Sequence, residues 1–356
     1  MSFHSEFLVH TPSSALFRLG WDESYATAFD AVAPEATVPA RVVLVASRTV
    51  TVITDSGQRD SVLAGRLRAF PPPGGVTTGD WVAVDDSTVH AVVPRRSALL
   101  RRATGGAAVA QAVAANVDIV FIAVPLGLAV GVRRLERSLA MAWSSGARPV
   151  VLLTKSDLSA DRAVDLDSAN AVAGGAEVIA VNVQGLGVDA VRSRLPAGRT
   201  GAIVGPSGAG KSTLINSLCG GERLATAAVR SDGRGRHTTS HRELVELPGG
   251  GLLIDTPGMR EMGVWDAQAG IDTVFADVGE LASHCRFSDC SHNGEPGCAV
   301  RKAAENDPNI LERLASLRKL EREQRFQDLQ VDARLRAEAR REHRRFARGV
   351  RSQPHR

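Results

Sequence analysis

One short segment constrains the fold more than any other. Thr200–Val204 reads as a strand that runs straight into Gly205-Pro206-Ser207-Gly208-Ala209-Gly210-Lys211-Ser212, and a helix over Lys211–Leu218 follows. The segment fits G-x-x-x-x-G-K-[ST], and the strand-to-helix context is what gives the match meaning. Glycines let backbone N–H groups converge on phosphate oxygens at a helix N-terminus, where the helix dipole also favours an anion. In that reading Lys211 reaches the β- and γ-phosphates, the Ser212 hydroxyl binds magnesium, and Thr213 belongs to the same nucleotide-holding turn. A chance glycine-rich turn is the alternative, and the flanking strand and helix count against it.

The surrounding chain has the grammar that such a loop requires. From Val117 onward, strands alternate with helices: strands at Asp118–Val124, Arg148–Thr154, Glu177–Val181, Glu243–Leu247 and Gly251–Asp255, helices at Arg133–Ser145 and Val188–Leu195. Alternation of this kind implies a mostly parallel sheet covered by helices. Two more strand ends carry polar signals. Asp255-Thr-Pro-Gly258 ends a strand, so that Asp255 can hold a magnesium shell and the Gly258 amide can meet a γ-phosphate. Thr154-Lys155-Ser156-Asp157 also ends a strand and resembles the guanine motif NKxD, in which a carboxylate accepts from guanine N1 and the exocyclic amine. The order is unusual. In Ras-like GTPases the base motif follows the phosphate loop, whereas here 154–157 precedes 205–212. A circular permutation accommodates both, since new termini in surface loops are tolerated.

The flanks read differently. Residues 1–36 are mixed and offer no pattern. Between Ala40 and Val93 lie five short alternating strands with glycine-rich turns, which suggest a small barrel, most simply an OB-fold, with any small β-domain as the alternative. Past residue 265 the strands stop. Cys285-x4-Cys290-x-His292-x5-Cys298 gathers three thiols and one imidazole, the donor set of a closed structural zinc site. The plain alternative is three buried thiols and a surface His, and Cys219 reads as a core residue. Asp307–Pro308 then starts a helix with an apolar stripe at Ile310, Leu314, Leu317 and Leu320.

Charge is unevenly spread. The net +4 conceals nine Arg and two Glu between Ala333 and Arg356, a +7 tail on a body that sums to −3. Such an arm is solvated, and anionic partners suit it. Only four Lys occur against 39 Arg, and two of them, Lys155 and Lys211, stand in the nucleotide motifs. The apolar run 117–130 is interrupted by Asp118 and Pro125 and is too short to span a bilayer, so no membrane partner is expected. The start has no signal-peptide pattern and four cysteines make no disulfide scaffold, so the expected location is cytoplasmic.

These strings together resemble the RsgA (YjeQ/YloQ) family of circularly permuted GTPases over nearly the whole chain. The resemblance rests on Gly79-Asp-Trp-Val82, Pro94-Arg-Arg-Ser97, Ala115-Asn-Val-Asp118, the 154–157 and 205–216 motifs, 233–239, 255–261 and the cysteine-rich 285–300. It implies an N-terminal extension (1–36), an OB-fold domain (37–100), a circularly permuted P-loop GTPase domain (101–262), a helical zinc-binding domain (263–332) and a basic tail (333–356). It also implies GTP hydrolysis to GDP and phosphate with magnesium, one structural zinc per chain, and a role in late maturation of the 30S subunit through 16S rRNA contacts. The chain is expected to act as a monomer. Thr154 stands where Asn is usual, and Asn182 where a Ser often begins the second base loop, 181–187. Met259 occupies the region where Ras-like enzymes keep a water-orienting Gln. The resemblance therefore also implies a catalytic role for His237, with an exposed His as the alternative, and Thr238 or Thr239 as a further magnesium ligand. The rival function is a nucleotide-gated RNA-binding module with negligible turnover, which GTP turnover with and without 30S subunits separates.

Overall fold

The computed structural model describes residues 14–103, 109–126, 131–182, 185–221, 242–256 and 265–332. His237, Thr238, Thr239, Gly258, Met259 and the basic tail lie outside the described residues. Two short helices open the chain, α1 (Ser14–Arg18) and α2 (Glu23–Asp30). A barrel follows from β1 (Val38–Val45), β2 (Val50–Thr54), β3 (Gly57–Leu63), a short α3 (Gly65–Ala69), β4 (Trp81–Val84) and β5 (Thr88–Val92). It closes in the order β1-β2-β3-β5-β4, with β3 parallel to β5 and every other pair antiparallel. That is the closed five-stranded barrel the alternating pattern predicts. Its interior is built of β-branched and small residues, among them Val42, Val52, Val82, Val84 and Val89.

A hairpin of β6 (Ala98–Arg102) and β7 (Ala110–Ala115) leads into the second unit. There, β8 (Ile119–Pro125), α4 (Val132–Ser144), β9 (Arg148–Thr154), α5 (Arg162–Val172), β10 (Glu177–Ala180), α6 (Val188–Arg192), β11 (Thr200–Val204), α7 (Lys211–Cys219), β12 (Leu244–Glu246) and β13 (Leu252–Asp255) build one sheet and its cover. The strand order is β10-β9-β8-β11-β13-β12, parallel except for β12 at one edge. Alternate residues along each strand face opposite layers. Val120, Ile122 and Val124 of β8 join the core that includes α4, while Phe121 and Ala123 join the one beneath α6 and α7. Helix α6 stops at Arg192, short of the Leu195 expected from sequence; Pro196 disfavours the α conformation in the residue before it.

The last third is helical: α8 (Gln268–Val274), α9 (Ala276–Ser283), α10 (Ala299–Ala304) and the long α11 (Asn309–Val331). Asp307 accepts the Asn309 amide at 3.0 Å, and Leu314 and Leu320 are buried, as the stripe requires. Helix α11 is fastened to α4 by charge. Arg313 donates to the fully buried Glu136 at 3.0 Å and grips Asp277 of α9 with two bonds of 2.7 and 2.9 Å. Arg137 pairs with Glu323 in the same two-pronged way, at 2.6 and 2.8 Å. No helix among the described residues is long and apolar enough to cross a membrane.

The opening helices correct the patternless reading of residues 1–36. Trp21, Tyr25 and Phe29 are buried, and the Trp21 ring meets Trp81 of β4 edge-on at 4.7 Å. Such a pair adds ~0.5–1.5 kcal/mol beyond area burial.

Candidate functional site

The parallel strands β9, β11 and β13 end at the same edge of the sheet, the edge where α/β proteins hold ligands. After β11 the chain turns through Gly205 (φ +147°), where a Cβ would lie 2.6 Å from the Ala123 carbonyl oxygen, so only glycine fits. Gly208 and Gly210 also have positive φ, and Gly210 caps the N-terminus of α7. Ser207 and Gly208 are exposed at the crest of the loop, Pro206 is half-buried, and Ala209 is buried beneath them. Lys211 Nζ arches back over the loop and donates to the carbonyls of Gly205 (2.9 Å) and Pro206 (2.7 Å). Ser212 and Thr213 occupy the first turn of α7 and are half-buried.

Asp255 closes β13 directly across from Ile203 of β11, and it is buried. Burial pushes its carboxyl above the usual range, against the pull of Lys211 and the Thr256 amide. Burial likewise lowers the Lys211 ammonium, and Asp255 opposes this. The two groups therefore stabilise one another's charged forms at the floor of the 205–212 loop. Thr256 Oγ1 donates to the Ile203 carbonyl and fixes the exit of β13.

On the other side, β9 delivers the second motif. The Thr154 hydroxyl donates to the Ala209 carbonyl at 2.7 Å, tying this motif to the phosphate loop. Lys155 takes a left-handed conformation (φ +57°), and Ser156–Leu158 forms a single 3-10 turn that leaves Asp157 exposed. The Ser156 amide donates to Val181 at 3.2 Å, joining the third loop. That loop is held by Asn182, whose Oδ1 accepts the Leu186 amide at 2.9 Å. Thus Thr154, Lys155, Ser156, Asp157, the 205–213 loop and Asp255 converge at one edge. The Thr154 hydroxyl is the link between the 154–157 segment and the 205–213 loop.

A second cluster lies in the helical part. The ligand atoms of Cys285, Cys290, His292 and Cys298 all fall within 4.8 Å of one another. His292 Nδ1 lies 3.5 Å from the sulfurs of both Cys285 and Cys298. A tetrahedral ion with thiolate and imidazole ligands separates its donors by about 3.5–4 Å. The cluster could hold a metal ion. Burial tends to raise the Cys285 thiol, but the Val300 and Ala299 amides at the start of α10 outweigh it and draw it down. His292 is lowered by burial and by Arg318, which favours the neutral imidazole that a metal requires. Cys290 alone is pushed up, to about 11, chiefly by burial.

Sequence order and spatial order disagree in a specific way. The strand bearing the 154–157 motif precedes the phosphate-loop strand in the chain, yet the sheet places them on either side of β8 around one site. Residues 92–265 match the family described as RsgA GTPase. A "Small ribosomal subunit biogenesis GTPase RsgA" from Streptomyces coelicolor is 45% identical over 353 residues, covering 94% of each chain. One of the same description from Streptomyces avermitilis is 42% identical, covering 93% of this chain and 91% of its own. The chain belongs to the RsgA GTPase family. Solved structures agree on the fold: YjeQ from Thermotoga maritima superposes with a TM-score of 0.57 at 24% identity, covering 80% of this chain and 98% of its own. YloQ, described as a circularly permuted GTPase, gives 0.54 at 21%, covering 81% and 96%.

As an RsgA-family GTPase, the protein hydrolyses GTP, and the reversed motif order is the permutation itself. Sequence reasoning missed the residues that join its parts. Arg41, fully buried on β1, donates to Asn116 O at 3.0 Å and to Thr200 Oγ1 at 3.3 Å. Asn116, at φ +53°, accepts the Arg96 amide and donates to Gly79 O, both at 3.0 Å. Asn116 sits inside a string that carries the family resemblance; Arg41 had no sequence signal beyond a charge within an apolar strand.

Proposed function

We propose that this GTPase acts on the small ribosomal subunit during its late maturation, with GTP hydrolysis ending its stay on 16S rRNA. The observation that carries the guanine-nucleotide reading is the 2.7 Å Thr154–Ala209 bond, which joins the base motif to the phosphate loop. The relatives' printed descriptions supply the ribosomal part. In this reading the amides of residues 205–213 and Lys211 hold the phosphates, and Lys155 and Asp157 hold guanine. His237 orients water, and the Gly258 amide meets the γ-phosphate. Ser212, Asp255 and Thr238 or Thr239 would hold magnesium, which neutralises phosphate charge. The donor set Cys285, Cys290, His292 and Cys298 fits one structural zinc. The protein acts as a cytoplasmic monomer.

A path from nucleotide to barrel supports the coupling. The Asp255 amide donates to Glu243 O at 3.3 Å, Glu243 bridges to Leu44 of β1, and Thr78 Oγ1 donates to Arg242 O at 3.0 Å. Movement in the switch segments would thus reach the barrel through hydrogen bonds rather than a loose linker. The test is GTP turnover by the full chain with and without purified 30S subunits. Acceleration by the subunits is expected. Turnover indifferent to the subunits would overturn the ribosomal role, and negligible turnover in both arms would favour a nucleotide-gated RNA-binding module.

A further inference from the structure

The opposite end of the sheet, where β8, β9 and β11 begin, carries a cavity of about 570 Å³ between those strands, α2 and the barrel. Three strings that carry the family resemblance without holding nucleotide meet there. Arg96 and Ser97 of the first and Asn116 to Asp118 of the second line the cavity; Trp81 of the third flanks it through Trp21 and Arg41. What a cavity at this end of the sheet, away from the GTP loops, would bind needs a reason drawn from its lining.

The charge of the lining supplies one. Arg41, Arg96, Arg148 and Arg199 contribute four guanidiniums against the two carboxylates of Asp22 and Asp118. Both carboxylates are already engaged: Asp22 with Arg96 and the Tyr25 amide, Asp118 with Arg199 and the Thr200 amide. Arg148, with its side chain 66% exposed, has among the described residues a carboxylate no nearer than Glu177 at 3.9 Å, which Arg194 already grips. Arg41 is the sharpest case. It is 1% exposed, lies 4.9 Å from the Trp81 ring centroid, and among the described residues donates only to neutral oxygens (Leu19, Asn116 and Thr200), with no partner there for its Nε. A buried cation without a contacting anion is costly unless an anion completes it.

We propose that this junction cavity binds a phosphate group, with Arg41 at its floor and Arg96, Arg148 and Arg199 at its rim. Guanidiniums from separate elements suit phosphate, whose oxygens take paired N–H donors. The Tyr25 face is covered by the Arg96 guanidinium at 3.7 Å, which leaves Phe17 as the exposed ring at the cavity's edge. A ligand here would touch α2, the barrel and the sheet together, and would stabilise their mutual arrangement by mass action.

The test uses the full chain saturated with magnesium and GDP, so that the phosphate loop is occupied. Calorimetric titrations with pyrophosphate and with a ten-nucleotide RNA, each at matched chloride ionic strength, are run on the parent, Arg148→Gln and Arg96→Gln. Binding of at least one probe is expected, weakened about tenfold in both variants while GDP affinity stays within twofold. Variant-sensitive binding of pyrophosphate identifies a small phosphate ligand; variant-sensitive binding of RNA alone identifies a backbone phosphate. A parent that binds neither probe, or binding that both variants leave intact, overturns the proposal. A parallel melting curve on each variant shows that it is folded.

Discussion

Thr154 illustrates how one residue can carry a motif's geometry without matching its usual letter. Its hydroxyl donates to Ala209, a buried residue of the phosphate loop, and the carbonyl it serves has little access to water. Deleting such a donor leaves a buried acceptor unpaired, at ~1–3 kcal/mol. We expect Thr154→Val to lower the melting temperature and to weaken GDP binding about tenfold, with Thr154→Ser restoring both. Titration with a fluorescent GDP analogue checks this, and parental affinity in the valine variant would remove the tie from the account. The candidate nucleotide residues were legible because phosphate loops constrain both composition and spacing: glycines at 205, 208 and 210 are needed for backbone approach, and Lys211 for charge. The tie was not legible, because a hydroxyl's partner depends on which strands are neighbours. His237 raises a different question, since its role rests on resemblance and on the Met at 259. Its removal should separate binding from chemistry. His237→Ala is predicted to keep GTP affinity within a few-fold and to lower subunit-stimulated turnover by roughly 10²-fold, the lower end for a positioned proton-handling group. Equal turnover in mutant and parent returns the residue to an exposed loop histidine.

At the scale of elements, what the sequence revealed tracks burial on two faces. Strands β9 and β11 appear at the bounds read from sequence because central parallel strands are near-continuous apolar runs ending in polar motifs. The β6–β7 hairpin escaped notice, since its Ala-rich second strand has no alternation and pairs through a register shift. Helix α2 escaped too, although Tyr25 and Phe29 stand four apart; a helix of 8 residues gives too short a stripe to read. The metal cluster was legible as a set of ligand types, but its attachment was not. His292 sits at φ +55° in a segment with no helix or strand of its own, between α9 and α10. A metal ion is the natural cross-link for that segment, because few apolar contacts hold it. Metal analysis of the purified chain should find about one zinc per molecule. Cys290→Ser should lose it and unfold residues around 285–298, seen as a rise in amide exchange confined to that stretch. Full protection in strong chelator would count against a structural ion. The GTP site lies on other elements, so GDP affinity should change little in the same variant.

At the scale of the molecule, the three parts are joined by charge and hydrogen bonds as well as by apolar packing. Arg41 and Asn116 join barrel to sheet, and Arg313 and Arg137 hold α11 against α4. The basic tail, Ala333–Arg356, follows α11 and carries +7, while the remainder sums to −3. A negative body approaches a polyanion poorly, so a cationic segment would contribute disproportionately to encounter with rRNA. Removing it turns the net charge from +4 to −3. We expect the 1–332 protein to bind 30S subunits more weakly and with a flatter salt dependence. Each lost phosphate contact should take about 0.7–0.9 from the log–log slope. Intrinsic GTP hydrolysis should not change, because every nucleotide motif lies before residue 260 and the tail has no apolar stripe for docking. Co-sedimentation with 30S subunits across a salt series, beside hydrolysis by the protein alone, separates the outcomes. Superimposable salt curves would end the arm's role in RNA binding, and lost intrinsic hydrolysis would mean that the tail packs against the GTPase and supports its fold.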